Sequence, residues 1–220
     1  MIYSDRIDAA ERLATALRAW RGEHPLVLAI PRGAVPMGRV IAQRLSGDLD
    51  VVLTRKLHAP GNPEYAIGAV DESGWTYVGE YAEAAGATPD YLRAQVAAEL
   101  ATMKRRRAAY TPARAPVDPA GRVVIVVDDG LATGATMIAA LHAIRARGPK
   151  VLVCAVPVAS PDAAARVRAW CDEVVCPYVA PDFYAVGQFY MHFPQVSDDE
   201  VIALLRAPRA VDADPGAARA

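Results

Sequence analysis

Two adjacent carboxylates, Asp128 and Asp129, are the side chains of this 220-residue sequence with the clearest capacity for chemistry. They follow the apolar run VVIVV at 123–127, which is typical of a buried strand. The two acids therefore lie where that strand reaches the edge of its sheet. A loop rich in Thr and Gly comes next, before an apolar pattern with helical spacing begins at Met137. An acid pair beside a hydroxyl-rich loop indicates a binding site for a polar ligand.

The loop after the acids is typical of a phosphate-binding turn. Thr133 and Thr136 provide hydroxyl groups. The helix predicted to begin at Gly134 and Ala135 provides backbone N–H groups and the positive end of its dipole. Gly134 has no side chain, so a phosphate can approach the backbone closely. The loop is not a Walker A motif, because no Lys follows the Gly.

The acids themselves cannot help to bind a phosphate, because like charges repel each other. Ribose hydroxyls suit them better, since a carboxylate accepts hydrogen bonds from the vicinal 2′ and 3′ hydroxyls of the sugar. The acids would also stabilise positive charge on the sugar ring during cleavage at C1. The predicted ribose 5-phosphate site consists of Asp128, Asp129, Leu131, Ala132, Thr133, Gly134, Ala135 and Thr136.

The segment VVIVVDDGLATGATM resembles the signature of the type I phosphoribosyltransferases, with strand, acids and loop in the same order. In that family the signature binds the ribose 5-phosphate of phosphoribosyl pyrophosphate. The resemblance extends over roughly residues 25–205 and is closest to the uncharacterised predicted phosphoribosyltransferases. It implies transfer of phosphoribosyl to a nitrogen acceptor such as a nucleobase, with release of pyrophosphate. The implied catalytic residues are Asp128, Asp129 and Lys56.

The same resemblance places pyrophosphate contacts in two other loops. The segment PRGA at 31–34 follows the apolar run LVLAI, and two basic residues follow the run DVVLT at 50–54. The implied pyrophosphate-binding residues are Arg32, Gly33, Arg55 and Lys56. A lone PRG is also compatible with a plain turn, and the basic pair is also compatible with a solvated strand end.

The segment LHAPGNPEY, residues 57–65, matches the family's flexible catalytic loop in position. Its Pro, Gly and Asn residues predict a mobile loop. Closure of this loop would exclude water from a reactive sugar cation. His58 and Glu64 carry its imidazole and carboxyl groups, and the sequence assigns a role to neither.

Mg²⁺ is the cofactor that the resemblance implies, because the pyrophosphate must be neutralised as it leaves. Mg²⁺ rarely uses an all-protein cage, so we expect substrate oxygens and water to hold it, without a direct protein ligand. The implied reaction passes through a cation-like transition state and needs no protein nucleophile. No His or Cys cluster in the sequence has zinc spacing.

The acceptor is expected to bind under a small hood, residues 178–196. This segment contains all three Phe and three of the nine Tyr residues of the chain, which is enough to form a stacking surface for a flat base. The candidate acceptor-binding residues are Asp182, Phe183 and Tyr184, with Gln188 as a second reader of ring edges. The alternative is a cover packed on the sheet or a subunit contact. The base-reading residues of the purine-salvage enzymes have no match here, which leaves the acceptor open.

Two other functions compete with the transferase. A non-catalytic regulator that senses phosphoribosyl pyrophosphate or a nucleotide would need the same sugar site. Arg32, Lys56 and the loop at 57–65 favour the enzyme, because a sensor has less need to hold and release pyrophosphate. A phospho-acceptor switch domain would need acids on separate strand ends and a Lys late in the fold, and it leaves the Thr/Gly loop unexplained.

Strands and helices alternate along the chain, which predicts an α/β fold with a doubly wound, mostly parallel sheet. Ligands of such sheets bind beyond the carboxyl ends of the strands, where the loops described above fall. A hairpin is predicted for AIGAV and WTYV, and a helical insertion for 88–110. We expect a single phosphoribosyltransferase-like domain at 1–206 and a disordered tail at 207–220.

Four helix starts are predicted from capping residues. The caps are Asp8 with Glu11, Thr88 before Pro89, Ser160 before Pro161, and Ser197 with Glu200. The helix from Thr88 ends in the basic run KRRR at 104–107, interpreted as a solvated helix end rather than an RNA contact.

Composition argues against several partners. The formal net charge of −1 does not favour binding to nucleic acid or to an anionic membrane. No apolar run approaches the roughly 18–20 residues that span a bilayer, and the N-terminal sequence is not that of a secretory signal. Cys154, Cys171 and Cys176 lack CxxC spacing, which predicts reduced thiols in a cytoplasmic protein. The expected partners are small-molecule substrates and a second copy of the chain in a homodimer.

Overall fold

The described residues, 2–111 and 116–206 of this computed structural model, form ten strands and six α-helices. The strands are β1 (Leu26–Ala29), β2 (Asp48–Val51), β3 (Thr54–Ala59), β4 (Asn62–Asp71), β5 (Thr76–Val78), β6 (Val123–Val127), β7 (Val151–Ala155), β8 (Val158–Ala159), β9 (Glu173–Val175) and β10 (Tyr178–Val179). The helices are α1 (Arg6–Ala16), α2 (Ala34–Leu45), α3 (Pro89–Tyr110), α4 (Ala135–Arg145), α5 (Pro161–Val167) and α6 (Asp198–Arg206). The predicted α/β class is confirmed.

Five strands form the central sheet in the order β2-β1-β6-β7-β9, and every neighbouring pair is parallel. Both β1 and β6 are buried along their whole length, as expected for strands covered on two faces. Val27 and Ile125 pack into the same core as α2, whereas Leu28 and Val126 pack into the core that contains α4. Because successive side chains point to opposite faces, helices cover both sides of the sheet, and the doubly wound prediction is confirmed.

Strands β3, β4 and β5 form a second, antiparallel sheet, which contains the predicted hairpin. Residues 57–65, predicted to be a mobile loop, belong mostly to β3 and β4, so the prediction of loop structure is wrong. Ala59 ends β3, Asn62 begins β4, and these two residues pair with each other. Pro60 and Gly61 form the turn between them, with Gly61 at a φ of +71°, a conformation that glycine adopts without strain. The Pro and Gly residues that predicted a loop mark a tight turn instead.

The predicted strand at 50–54 is divided between the two sheets. Strand β2 ends at Val51, and β3 begins at Thr54. The backbone N–H of Val52 still donates to the carbonyl of Ala29 at 3.2 Å, after which the chain leaves the central sheet. The basic residues that follow therefore belong to the antiparallel sheet, and not to the end of a core strand.

The structure confirms three of the predicted helix starts, at Thr88, Ser160 and Ser197. The first prediction is wrong, because α1 begins at Arg6 rather than after Asp8. Asp5 is the cap: its Oδ1 accepts hydrogen bonds from the backbone N–H groups of Ile7 at 2.8 Å and Asp8 at 2.9 Å. Asp8 and Glu11 have the spacing of a capping box, but both lie within the helix.

Helix α3 is 22 residues long and passes through the basic run at 104–107 before it ends at Tyr110. Arg107 of this run donates to the Val51 carbonyl at 3.2 Å and pairs with Glu72, so its charge is used within the fold. Among the helices of residues 2–111 and 116–206, none combines the length and apolar character needed to cross a membrane.

The first residues of the chain pair with the hood, residues 178–196. Tyr3 is fully buried and forms a parallel bridge with Tyr190. The N–H of Tyr3 donates to the Phe189 carbonyl at 2.7 Å, and the N–H of Met191 donates to the Tyr3 carbonyl at 2.8 Å. The hood is thus joined by backbone pairing to the segment that precedes α1. The predicted tail at 207–220 lies outside the described residues.

Gly68 is a point of close approach between β4 and β5. A Cβ atom at this position would lie 2.3 Å from the backbone oxygen of Tyr77. A strand carbonyl cannot yield without loss of pairing, so Gly68→Ala is expected to lower the free energy of unfolding by about 1–3 kcal/mol. Chemical denaturation measures this change, and an unaltered midpoint would contradict the strand spacing.

Candidate active site

A cavity of about 300 Å³ lies at the carboxyl ends of β1 and β6, next to β3. It is lined by Ile30, Pro31, Gly33, Thr54, Arg55, Lys56, His58, Asp128, Asp129, Gly130, Leu131, Ala132, Thr133, Gly134, Thr136 and Val186. This set includes every residue predicted to bind ribose 5-phosphate except Ala135, which is the first residue of α4. The structure therefore brings the acids and the Thr/Gly loop to one cavity.

The loop between β6 and α4 has the geometry of a tight turn into a helix. Gly134 has a φ of +79°, in the left-handed region that glycine occupies freely. The Oγ1 atom of Thr133 accepts a hydrogen bond from the N–H of Ala135 at 3.4 Å. On the other side, Ser160 Oγ donates to the Ala132 carbonyl at 2.9 Å. These two hydrogen bonds fix the loop. The first N–H groups of α4 adjoin the cavity, and unpaired N–H groups at a helix start stabilise an anion.

Asp128 and Asp129 lie side by side at the end of β6. Asp128 Oδ1 accepts a hydrogen bond from the backbone N–H of Asp129 at 2.9 Å. Asp129 Oδ2 accepts two hydrogen bonds from Arg6, one from Nε at 3.2 Å and one from Nη2 at 3.1 Å. The side chains of Arg6 and Asp129 are only 11% and 16% exposed, so this ion pair is largely shielded from water.

Burial raises the pKa of the Asp128 carboxyl well above its ordinary value of 3.8, and the negative charge of Asp129 raises it further. Burial also raises the pKa of Asp129, although the positive charges of Arg6 and Lys56 oppose this effect. Burial therefore disfavours the ionised form of each acid. A ligand that donates hydroxyl hydrogen bonds would favour the ionised forms.

The loop after β1 lies against the acid pair. A Cβ atom on Gly33 would lie 2.2 Å from Asp129 Oδ2, so the close approach requires glycine. The peptide bond between Pro31 and Arg32 is cis. The Arg32 guanidinium is placed differently: its Nη1 lies 3.6 Å from Asp198 Oδ2, and Arg32 is not among the residues that line the cavity. Of these two predicted pyrophosphate contacts, the structure brings only Gly33 to the site.

Arg55 and Lys56 are neighbours on β3. Arg55 lines the cavity, but its Nε donates to Glu99 Oε2 of α3 at 2.6 Å. Lys56 also lines the cavity, and its charge opposes the rise in pKa of both acids. Lys56 is therefore the predicted basic residue that acts electrostatically on the acid pair.

His58 lies on β3 and lines the cavity. Helix α3 fixes its backbone, because its N–H donates to Gln95 Oε1 at 2.9 Å and its carbonyl accepts from the Tyr91 hydroxyl at 2.9 Å. His58 Nδ1 and Thr54 Oγ1 are buried and have no hydrogen-bond partner within the described residues. Glu64 is exposed and does not line the cavity.

The hood contributes Val186 to the cavity lining. The predicted acceptor-binding residues are not among the lining residues, and they are placed as follows. Tyr184 is 89% exposed, Asp182 is exposed, and Phe183 packs on Phe189 with ring centroids 5.1 Å apart. Contact between these side chains and an acceptor in the cavity would require movement of the hood or a bound molecule that extends beyond the cavity.

Gln188 uses its side-chain amide within the hood. Its Oε1 accepts hydrogen bonds from the backbone N–H groups of Tyr184 at 2.8 Å and Ala185 at 3.0 Å. Its Nε2 donates to the Asp182 carbonyl at 2.8 Å. All three bonds are internal to the segment, so Gln188 shapes the loop that carries the predicted acceptor residues.

Arg6 and Tyr190 contact the acid pair but were not predicted from the sequence. Arg6 is separated from Asp129 by 123 positions. The Tyr190 hydroxyl donates to the backbone carbonyl of Asp129 at 2.6 Å, and burial raises the pKa of Tyr190, so this group remains a donor. Neither residue belongs to a recognisable motif. Only the packing of α1 and the hood brings them to the site.

A metal ion would find few protein ligands here. Within residues 2–111 and 116–206, no three His, Cys, Asp or Glu side chains are grouped closely enough to hold one. The cavity offers hard oxygen atoms from two carboxylates and two Thr hydroxyls. This donor set fits a Mg²⁺ ion that is coordinated mainly by substrate oxygens and water.

Residues 2–194 match the family model of the phosphoribosyl transferase domain. A Mycobacterium tuberculosis protein named "Putative phosphoribosyl transferase Rv0571c" is 38% identical over 222 residues, which cover 98% of this chain and 49% of that protein. The chain thus spans about half the length of the curated relatives it matches.

Two solved structures share the fold of this chain. The crystal structure of TT1426 from Thermus thermophilus is 45% identical, covers 93% of this chain and 98% of its own, and has a TM-score of 0.78. A hypothetical protein from Neisseria gonorrhoeae with bound ppGpp is 15% identical over 93% of each chain, with a TM-score of 0.51, which shows a shared fold alone. From the family match, the chain belongs to the phosphoribosyl transferase domain family.

Proposed function

We propose that this protein transfers phosphoribosyl from 5-phosphoribosyl 1-pyrophosphate (PRPP) to a nitrogen acceptor, with a nucleobase as the acceptor class. The observation that carries this proposal is the junction of the acid pair and the Thr/Gly turn in one cavity of about 300 Å³. Membership of the phosphoribosyl transferase domain family supports the same reaction.

In the proposed complex the 5-phosphate lies at the start of α4, between the hydroxyls of Thr133 and Thr136. The positive end of the helix dipole and its first N–H groups favour a phosphate at this position. The ribose then lies over Asp128 and Asp129, which accept hydrogen bonds from its 2′ and 3′ hydroxyls. This orientation directs C1 and its pyrophosphate towards Lys56, which lines the same cavity.

The reaction breaks the C1–O bond to pyrophosphate and forms a C1–N bond, and the electron pair of the broken bond leaves with pyrophosphate. The proton of the acceptor N–H passes to water. Positive charge develops on the ribose ring, where the two carboxylates stabilise it. Lys56 and the backbone at Gly33 are the proposed protein contacts to pyrophosphate. Bound Mg²⁺ would neutralise charge on that group. Arg32 and Arg55 are each paired with a carboxylate, Asp198 and Glu99 respectively, so part of their charge is already neutralised.

A PRPP or nucleotide sensor of the same fold is the second candidate. The observation in its favour is that two of the predicted pyrophosphate contacts, Arg32 and Arg55, are already paired with carboxylates. A protein that only senses the sugar phosphate has less need of these groups. The ribose site would be the same in both cases, so binding alone does not distinguish them.

The first experiment is a calorimetric titration with PRPP, with and without Mg²⁺. Binding strengthened by Mg²⁺ would support the sugar-phosphate site, and no binding in either condition would overturn the proposed function. Release of pyrophosphate in the presence of a panel of nucleobases then tests catalysis. PRPP binding without any release would favour the sensor.

Thr133→Val tests the phosphate turn. The substitution removes a hydroxyl without a large change in shape, so affinity for ribose 5-phosphate should fall about tenfold, the value of one hydrogen bond to a charged group. Thr102→Val is the matched control, since this Thr lies on α3 and its Oγ1 donates to the Ala98 carbonyl. An equal dissociation constant for both variants would contradict the assigned role of the turn.

We also propose that the protein acts in the cytoplasm and as a homodimer. Cys154, Cys171 and Cys176 are all free thiols, which supports a reducing compartment. Burial raises the pKa of the Cys171 and Cys176 thiols to about 11, which makes them poorly reactive. Sedimentation of the purified protein tests the dimer, and a single monomeric species would contradict it.

A further inference from the structure

The Arg6 guanidinium connects α1, the hood and the acid pair. Nε and Nη2 both donate to Asp129 Oδ2, at 3.2 and 3.1 Å, and Nη1 donates to the Pro194 carbonyl at 2.6 Å. Its flat face lies 3.7 Å from the ring centroid of Phe193. All three nitrogens are therefore used, and the guanidinium plane is held by an aromatic ring.

The backbone of Asp129 is held by the same assembly. The Tyr190 hydroxyl donates to the Asp129 carbonyl at 2.6 Å, and the ring of Tyr190 stacks on Phe193 at 4.7 Å between centroids. Side chain and main chain of the acid are thus fixed by groups that contact each other. Because both its side chain and its backbone carbonyl accept hydrogen bonds, the Asp129 carboxylate has little freedom to rotate.

The contact between Arg6 and Asp129 involves only one of the two carboxylate oxygens. Both hydrogen bonds from Arg6 end on Oδ2, the oxygen that Gly33 also approaches. Arg6 makes neither of them to Oδ1. A carboxylate with one oxygen bound by a guanidinium presents the other in a defined direction.

Four charged or titratable groups face Asp129 from the elements packed on it: Asp128 of the same loop, Lys56 of β3, Arg6 of α1 and Tyr190 of the hood. Burial raises the pKa of Asp129, and Arg6 is the largest opposing influence. Loss of Arg6 would therefore make the acid harder to ionise.

We propose that Arg6 is a positioning residue: it orients Asp129 through Oδ2, so that Oδ1 accepts a ribose hydroxyl. The ribose part rests on the proposed function, whereas the hold on Asp129 does not. Because Arg6 is also bound by the hood, a change in hood position is transmitted to the acid.

Three variants test this inference. Arg6→Met removes the charge and the hydrogen bonds, and Arg6→Lys keeps the charge but loses the planar fork. Arg12→Met is the matched control, because Arg12 lies on the same helix, pairs with Asp8 and has its guanidinium 5.3 Å from the Tyr3 ring centroid. Thermal melts establish that each variant is folded, and Arg6→Lys replaces Arg6→Met if the latter does not fold.

Two readouts are needed, one of them free of ligand. The first is the carboxyl titration of Asp129 followed by ¹³C NMR in the unliganded protein. The second is calorimetric affinity for ribose 5-phosphate across pH. Arg6→Met is expected to move the Asp129 titration to higher pH and to weaken binding at neutral pH about 10- to 100-fold. Arg6→Lys should restore most of the titration but only part of the affinity, and Arg12→Met should change neither.

A titration of Asp129 in Arg6→Met that matches the wild type would overturn the inference, whatever the wild type binds. Equal affinity of Arg6→Met and wild type would overturn it as well. If the wild type binds no ribose phosphate, the proposed function fails, and the ligand-free titration still decides whether Arg6 controls Asp129.

Discussion

Asp128→Asn combined with Asp129→Asn is expected to reduce release of pyrophosphate from PRPP at least about 1,000-fold. Removal of a single group that stabilises transition-state charge commonly costs about 100- to 1,000-fold, and this variant removes two. The fold should persist, because both side chains lie at the cavity rather than within an apolar core. Asp118→Asn, at a largely exposed surface acid, is the control. Full activity of the double variant would remove the basis for the proposed reaction.

The single variant Asp128→Asn should gain thermal stability at neutral pH. The pKa of Asp128 is raised in the folded protein, so the folded state binds its proton over a pH range where the unfolded chain does not. Stability therefore falls as pH rises from the ordinary value towards the raised one. Asparagine does not ionise and avoids this loss. Asp129→Asn should not share the gain, because Arg6 would lose its carboxylate partner. Melting temperatures at acidic and neutral pH measure both effects.

Gly33→Ala is expected to weaken binding of ribose 5-phosphate about 100-fold with little change in global stability. The new Cβ would lie 2.2 Å from Asp129 Oδ2 and 3.2 Å from Arg6 Nη2. A normal contact requires a shift of about 1 Å, and a misplacement of that size can reduce activity by two orders of magnitude. The backbone of Gly33 has a φ of −56° and a ψ of −35°, which alanine adopts without strain, so the effect is steric.

Calorimetry on a double-variant cycle isolates this clash. In an Asp129→Ala background the atom that meets the new Cβ is absent, so Gly33→Ala should then cause no further loss of affinity. An equal loss in both backgrounds would indicate that Gly33 acts on the ligand directly, and not through the acid.

The central sheet was predictable because burial on two faces leaves unbroken apolar runs, as in VVIVV at 123–127. The turn at Pro60 and Gly61 was not, since these residue types occur in tight turns as well as in longer loops. The cap at Asp5 was not predictable either, because the Asp8–Glu11 spacing also fits a capping box, and only the backbone geometry selects between the two positions.

The part of the site that is continuous in sequence was predictable, because Asp128 to Thr136 combine acids, hydroxyls and a glycine turn in one segment. Contacts between distant segments were not. An arginine in a helix has no local sign of its partner, so Arg6 was missed, and the pairing of Arg32 with Asp198 was not foreseen. Sequence shows which charges are present, whereas packing decides which of them remain available to a ligand.

The backbone pairing between Tyr3 and the segment that contains Tyr190 also has a consequence for synthesis on the ribosome. These partners are separated by most of the chain, and such high contact order delays their pairing until the last strands have emerged. The parallel sheet can form earlier from nearby strands. Binding competence is therefore expected only after residues 193 and 194 have emerged, because these hood residues contact Arg6.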